Sequence, residues 1–295
     1  MVQGTGGTGS ARLAAVAERW GLVGLYAFTA AAVVGYGVFG QDPGRLVGLP
    51  QWAARFYAWS FSFFALGHVW LAMLVLAAVL WLRAGGRWLG VFVLAYAVSL
   101  GSELAGTTWG IPFGEYGYSE LLAPMWLERV PVVIPMSWFF MALPSYALAA
   151  LAVRSPWARI VTGSVILLAW DLALDPAMSY ATRYWVWGES GPYYGMPWLN
   201  LLGWYVTGLV LMGVFAWRRS ESWTSGVSPR WWAGFYGANL LMPLGMCAAA
   251  GLWLAVGATL GVLGALALVM VPGLLRHSGP SGVTELAAGG AHVRS

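Results

Sequence analysis

The strongest constraint on this chain is how seldom a charge interrupts its apolar runs. Of 295 residues, 60% are hydrophobic and 9% charged. An ordinary soluble domain carries about 25% charged residues, so these few charges could not coat a water-facing surface. A soluble enzyme, a nucleic-acid binder, a secreted disulfide scaffold and a disordered protein are excluded. The remaining class is all-α, a polytopic membrane helical bundle. Apolar runs at roughly 21–40, 58–82, 88–107, 131–153, 157–178, 198–217, 231–251 and 255–275 predict about eight transmembrane helices. The last two form one stretch, from Trp231 to Leu275, that is too long for one span and has Gly251 or Gly257 as its turn.

The basic residues set the expected orientation. All 15 are Arg. With eight spans and both ends in the cytoplasm, 11 of them lie on the cytoplasmic side. Only four, Arg45, Arg55, Arg129 and Arg183, lie opposite, as the positive-inside rule asks. A seven-span path would weaken this bias. The expected organisation is a flexible cytoplasmic tail over 1–19, a single integral membrane domain over 20–276, and a flexible tail over 277–295. No cleaved signal peptide is expected. The chain is read as multi-pass in the cytoplasmic (inner) membrane. Cys247, the sole cysteine, excludes an intrachain disulfide and reads as a small buried hydrophobe. His68 lies inside a span and suits an interhelical hydrogen bond.

The acids are not spread evenly. Seven of the 11 lie between Glu103 and Glu189, in or beside the 3–4 and 5–6 loops, which share one side of the membrane. The two regions resemble each other. Each has an acid near a helix end (Glu103; Asp171), a Gly-Glu-x-Gly turn (Gly114 to Gly117; Gly188 to Gly191) and a Pro-x6-Trp entry to the next helix (Pro131 to Trp138; Pro197 to Trp204). This suggests an internal duplication of a helical hairpin that sets two acidic helix ends face to face; coincidence in a Gly- and Trp-rich chain is the alternative. Asp171 and Asp175 are four apart and share a helix face, and Pro176 should end or kink that helix. An Asp at the centre of a lipid-facing helix costs about 2.5–3.5 kcal/mol, so two on one face need water, a partner or a function. The bland reading places them, Glu103 and the loop acid Glu115 in solvent at the interface.

Many of the 20 Trp, 13 Tyr and 12 Phe are belt residues at the membrane surface. A denser set surrounds the acids: Trp109, Phe113, Tyr116, Tyr118, Trp138, Trp170, Tyr184, Trp185, Trp187, Tyr193, Tyr194, Trp198 and Trp204. No His/Cys spacing suits a metal, and no nucleotide or flavin fingerprint is present, so no cofactor or metal is expected. Carboxyls with aromatics in a lipid-facing pocket suit acid–base chemistry on an isoprenoid. Protonating a trisubstituted alkene makes a tertiary carbocation, which aromatic faces stabilise and water captures. The chemistry needs a carboxyl that keeps its proton near neutral pH.

The strings ELAGTTWGIPFGEYGY, WDLALDPAMS and YYGMPWLNLLGW resemble the carotenoid-biosynthesis membrane proteins of the CruF type. The resemblance runs from about Ser99 to Met212. It implies a cofactor-independent hydro-lyase that adds water across the terminal C1′,2′ double bond of an acyclic ψ end group. Lycopene, a monocyclic γ-carotene-type molecule and a C50 precursor all offer such an end; water and the lipid bilayer are the other partners, and nucleic acid is none. Glu103, Glu115, Asp171, Asp175 and Asn200 carry over as polar positions without individual roles. From position, Asp175 or Asp171 is the expected proton donor. Glu103 or Glu115 positions the water, Asn200 and Tyr194 hydrogen-bond it, and Trp185, Trp187 and Trp204 face the cation. Two other classes stay open. A membrane prenyltransferase would use Asp171 and Asp175 with Mg2+, but no second Asp pair exists for it. A carotenoid carrier or transporter would return its substrate unchanged.

Overall fold

A computed structural model describes residues 6–277 of the chain. Eight long helices follow the expected runs. They are α1 (Gly6–Gly35), α2 (Gln51–Ala84), α3 (Arg87–Trp109), α4 (Val133–Ala152), α5 (Pro156–Asp175), α6 (Trp198–Trp217), α8 (Pro229–Ala249) and α9 (Trp253–His277). A one-turn helix, α7 (Glu221–Thr224), sits between α6 and α8. The long apolar stretch after Trp231 does divide at Gly251, which has a positive φ of 73°.

Seven of these helices are long and apolar enough to cross a membrane. The eighth, α8, falls short in apolarity because Arg230, Asn239 and Pro243 dilute it. It still runs the full depth of the bundle. At its start Trp231 donates to the Glu18 carbonyl (3.2 Å); at its end Cys247 donates to the Ala173 carbonyl (3.3 Å). The protein is therefore a polytopic helical membrane bundle, and Cys247 is buried in it.

Helix α1 starts at Gly6, inside the stretch expected as a tail. Residues 11–19 are rich in Ala, Leu, Glu and Arg, good helix formers. The Arg83–Glu18 ion pair (2.8 Å) ties this polar turn to the end of α2. The tail expected over 277–295 lies, after His277, outside the described residues.

The bundle is organised around α4. Almost every residue of α4 from Val133 to Ala147 is buried, as expected of a helix that is apolar all round. Within a bilayer, packing and interhelical hydrogen bonds replace the hydrophobic drive. Several such bonds lock the core. Tyr236 donates to the Ile166 carbonyl (2.7 Å), and Ser102 meets Thr207 (2.9 Å). His68 of α2 bridges Thr29 of α1 (3.2 Å) and Asn239 of α8 (3.0 Å).

Helix termini then place the loops. Gly110, left-handed at φ 70°, ends α3 and turns the chain back over the bundle. Ser155 and Pro156 start α5, the Ser155 hydroxyl accepting from the Ala158 amide (3.5 Å). Pro176 cannot donate an amide proton; the chain answers by widening into a π-type turn over Pro176–Tyr180 rather than stopping. The 3–4 loop contributes strand β1 (Tyr116–Tyr118) and a small hairpin of β2 (Met125–Trp126) with β3 (Val130–Pro131). The 5–6 loop contributes β4 (Trp185–Trp187), which pairs antiparallel with β1, Tyr116 opposite Trp187 and Tyr118 opposite Trp185. Both acid-bearing loops thus meet at one end of the bundle.

The two similar hairpins face each other, though not as a simple copy. Trp138 and Trp204, the matching tryptophans, stack with centroids 4.0 Å apart. The Gly-Glu turns, however, differ in place. The first leads into β1 and the second follows β4. They touch all the same: the Gly188 amide donates to the Glu115 carbonyl (2.7 Å).

Candidate active site

Glu103 lies on α3 about two turns before the helix ends and is buried. Its carboxylate receives three donors. Tyr116 (2.5 Å) and Tyr118 (2.7 Å) reach Oε2, and the Trp138 indole reaches Oε1 (2.8 Å). Alternation along β1 explains the tyrosines, because residues two apart point to the same face of a strand. Burial, and then the Glu103 carboxylate, pushes both phenols well above their usual 10. They therefore remain O–H donors.

Asp171 and Asp175 sit one turn apart at the end of α5, exposed by 0% and 2%. The Trp185 indole of β4 donates to Asp175 Oδ1 (2.9 Å). Asn200, in the first turn of α6, aims its amide nitrogen at Oδ2 of Asp175 and also at Oδ2 of Asp171 (3.4 Å). The same nitrogen contacts the Met196 sulfur (2.9 Å). Asp171 Oδ1 is buried with no hydrogen-bond partner. Among the described residues, no basic side chain is within salt-bridge reach of these acids. Nor do three His, Cys, Asp or Glu converge as metal ligands.

Glu103 and Asp175 face a common cavity of about 30 Å³. That is room for one or two waters. Asp171 stands behind Asp175 and does not line it. Phe113, Tyr116, Tyr118, Trp138, Trp185, Trp187, Asn200 and Trp204 all line the cavity. The rings form a continuous wall. Trp138 stacks on Trp204, Tyr116 leans on Trp187 (5.4 Å) and Tyr118 meets Trp185 edge-on (5.8 Å).

Several of the sequence-predicted residues lie elsewhere. Glu115 is exposed in its turn, where its side chain is solvated. Trp109 is 75% exposed at the rim of the bundle, a belt position. Tyr193 spends its hydroxyl on the Leu172 carbonyl (2.8 Å). Tyr194, at φ 53°, packs on Tyr180 and Tyr193 instead of pointing inward. The cavity also uses Ile134, Ser137 and Leu174, which sequence reading missed. The two aliphatics carried no signal, but Ser137 stood out as a hydroxyl in an apolar run.

The fit of the 3–4 loop on α6 depends on Gly203. A Cβ there would come within 2.6 Å of both the Pro112 carbonyl and the Phe113 ring. Gly203→Ala should therefore lift the loop that carries Tyr116 and Tyr118 off the site. The expected cost is about 1–3 kcal/mol of overpacking, read as a lower melting temperature of the detergent-solubilised protein while it still accumulates in the membrane by immunoblot.

Comparison with known proteins agrees with the geometry. A family described as "Carotenoid biosynthesis protein" matches residues 63–266. That stretch runs from α2 into α9 and contains every cavity residue. Bisanhydrobacterioruberin hydratase of Haloarcula japonica is 35% identical over 121 residues. The match covers 40% of this chain and 41% of that relative. No solved structure matches. With well over half of its length, and the whole carboxyl cavity, inside the family match, the chain belongs to the carotenoid biosynthesis protein family.

Proposed function

We propose that this protein is a carotenoid hydratase that adds water across the terminal C1′,2′ double bond of an acyclic end group. One observation carries the reading: acids from two different hairpins face a water-sized cavity walled by aromatic rings. The family match and the hydratase named among its relatives support it.

Asp175 is the proton donor, because it alone of the aspartate pair reaches the cavity. Its proton goes to the C2′ carbon as the alkene electron pair forms the new C–H bond. The cation left at C1′ faces the rings of Trp185, Trp187 and Trp204, where cation–π attraction is worth about 2 kcal/mol in a desolvated site. A water in the cavity attacks C1′ and forms the C–O bond. Its surplus proton passes to Glu103 and returns through water to Asp175, so the net change is one water gained. Tyr116, Tyr118 and Trp138 are positioned to hold Glu103 as an acceptor. Asp171, behind Asp175 and sharing Asn200, keeps the proton on the pair. In a pair so close, protons belong to the set rather than to one residue. Glu115 and Tyr194 take no part.

The arginine asymmetry supports a cytoplasmic-membrane protein with both ends inside and the carboxyl cavity near the opposite face. Substrate could then keep most of its polyene in lipid while the reacting end meets water.

Expression in a bacterium that makes lycopene tests this reading. Pigments should gain one water per modified end, with label from H2(18)O in the product. Unchanged pigment, from lycopene and from a monocyclic carotenoid alike, with the protein present in the membrane, would overturn it. Unchanged pigment held by the protein would point to a carrier.

A further inference from the structure

The carboxyl cavity is too small to contain the reacting end of a carotenoid as well as water. Two further cavities adjoin it. A middle cavity of about 70 Å³ shares Ile134, Ser137, Leu174 and Trp185 with the carboxyl cavity. A groove of about 270 Å³ lies between the end of α1 and the start of α2. The groove and the middle cavity share Tyr184 and Met242. The three therefore adjoin in series, each sharing lining residues with the next.

Their walls suit an apolar chain. The groove is lined by Trp52, Phe56, Phe61 and Phe64, with small residues such as Ala32 and Ala53 leaving the space. Trp52 and Phe56 are exposed by 69% and 49%; in a bilayer that side opens to lipid. The chain widens into a π-type turn at Tyr36–Gly40 along the groove. The Tyr36 hydroxyl staples it to the Ala181 carbonyl (3.0 Å), so groove and 5–6 loop stand at the same end of the bundle. The polar side chains of the middle cavity are turned to partners. His68 is bonded on both ring nitrogens, Asn239 donates to the Phe235 carbonyl (2.8 Å) and Ser137 to the Ile134 carbonyl (2.7 Å). They ask for no polar ligand.

We propose that these cavities are a polyene-binding channel. The groove and the middle cavity hold the conjugated chain, its terminal alkene stands at the mouth of the carboxyl cavity beside Asp175 and the tryptophans, and the carboxyl cavity holds the water. Tyr184 and Met242 form the gate between the first two, with Tyr184 fixed by its hydroxyl to the Phe61 carbonyl (2.9 Å). Leu174 and Trp185 mark the junction where alkene meets water. The occupant is the long methyl-branched polyene itself, argued from the continuity of the groove with the acid site. This rests on the carotenoid reading of that site.

Filling the channel tests it. Ala53→Trp fills the groove from a half-buried position, and Ala65→Phe fills the middle cavity. Leu74→Phe, on the exposed face of α2 (63%), is the control. Each protein is purified from lycopene-making cells, and the carotenoid retained per protein is read from visible absorption. The expected result is at least a tenfold loss in both filled variants and none in the control. Equal retention in the filled variants, or none by the unaltered protein, would overturn the channel. Should Ala65→Phe fail to accumulate, Ala53→Trp decides. Hydration is scored separately in the same cells. Lycopene and a monocyclic carotenoid both held by the channel but never hydrated would sink the hydratase reading alone, while full hydration in the filled variants would sink the channel alone.

Discussion

Asp175→Asn is expected to reduce hydration by about 10²–10⁴-fold, the range that a positioned general acid contributes, while leaving the bundle folded. Asparagine is isosteric: its oxygen can still accept from the Trp185 indole (2.9 Å in the parent), and its NH2 can donate to Asn200 once that amide turns its oxygen toward it. It carries no transferable acid proton, so the loss should fall on turnover rather than on the amount of protein in the membrane. Asp171→Asn should follow at a smaller factor, since Asp171 does not line the cavity and acts through its neighbour. Its readout is the pH profile of the residual activity. A positioning role predicts a displaced profile, whereas a structural role predicts an unchanged profile at lower yield. Full activity of Asp175→Asn in pigment and water-label assays would remove Asp175 from the mechanism.

Glu103→Gln is the second large effect, and it should damage both stability and activity. Glu103 accepts from Tyr116, Tyr118 and Trp138 at 2.5, 2.7 and 2.8 Å. A glutamine offers one acceptor oxygen and places an NH2 against at least one of these donors. The indole N–H can only donate, so if the amide turns its nitrogen that way, that donor is buried without a partner. Each such orphan costs about 1–3 kcal/mol. The expected outcome is a lower melting temperature in detergent and hydration reduced by about 10²-fold or more, as for other general bases. Tyr118→Phe separates the two effects. It removes one donor without creating an orphan, so it should cost about 1 kcal/mol of stability and less activity than Glu103→Gln. Equal turnover in Glu103→Gln and the parent protein would show that another group takes the proton.

Much of this was legible in the chain because membrane insertion is a local energetic test. Runs of about 20 apolar residues have to be helices that satisfy their own backbone, which set the class of the fold and the place of its long helices. Arg83, Arg87, Arg154, Arg159, Arg218 and Arg219 mark one set of ends. The cost of an acid in hydrocarbon singled out Glu103, Asp171 and Asp175, and the structure buries all three at one end of the bundle. The motif repeats also pointed to the meeting of the two hairpins, and Trp138 does stack on Trp204.

Helix α1 begins at Gly6, ahead of its apolar run, because helix-forming residues over 11–19 extend it. Trp109, Glu115, Tyr193 and Tyr194 were grouped with the acids because they are near them in sequence. A residue's side of a loop depends on where the chain turns. Gly110 directs the chain away after Trp109, and the left-handed backbone at Tyr194 turns that ring onto Tyr180. Conversely, Ile134 and Leu174 became cavity walls only because α4 and α5 pack beside β4.

An all-α membrane bundle and the three acids that lie buried in it were legible in the residues alone, since both follow from the cost of polar groups in lipid. Which acids share a cavity, which one stands behind, and which apolar cavities adjoin it are settled by tertiary packing alone. Those features arise from contacts among α3, β1, α5, β4 and α6, distant in the chain, and from the close approach that Gly203 permits. No local pattern of residues encodes such distances; only the packed loops and helices set them.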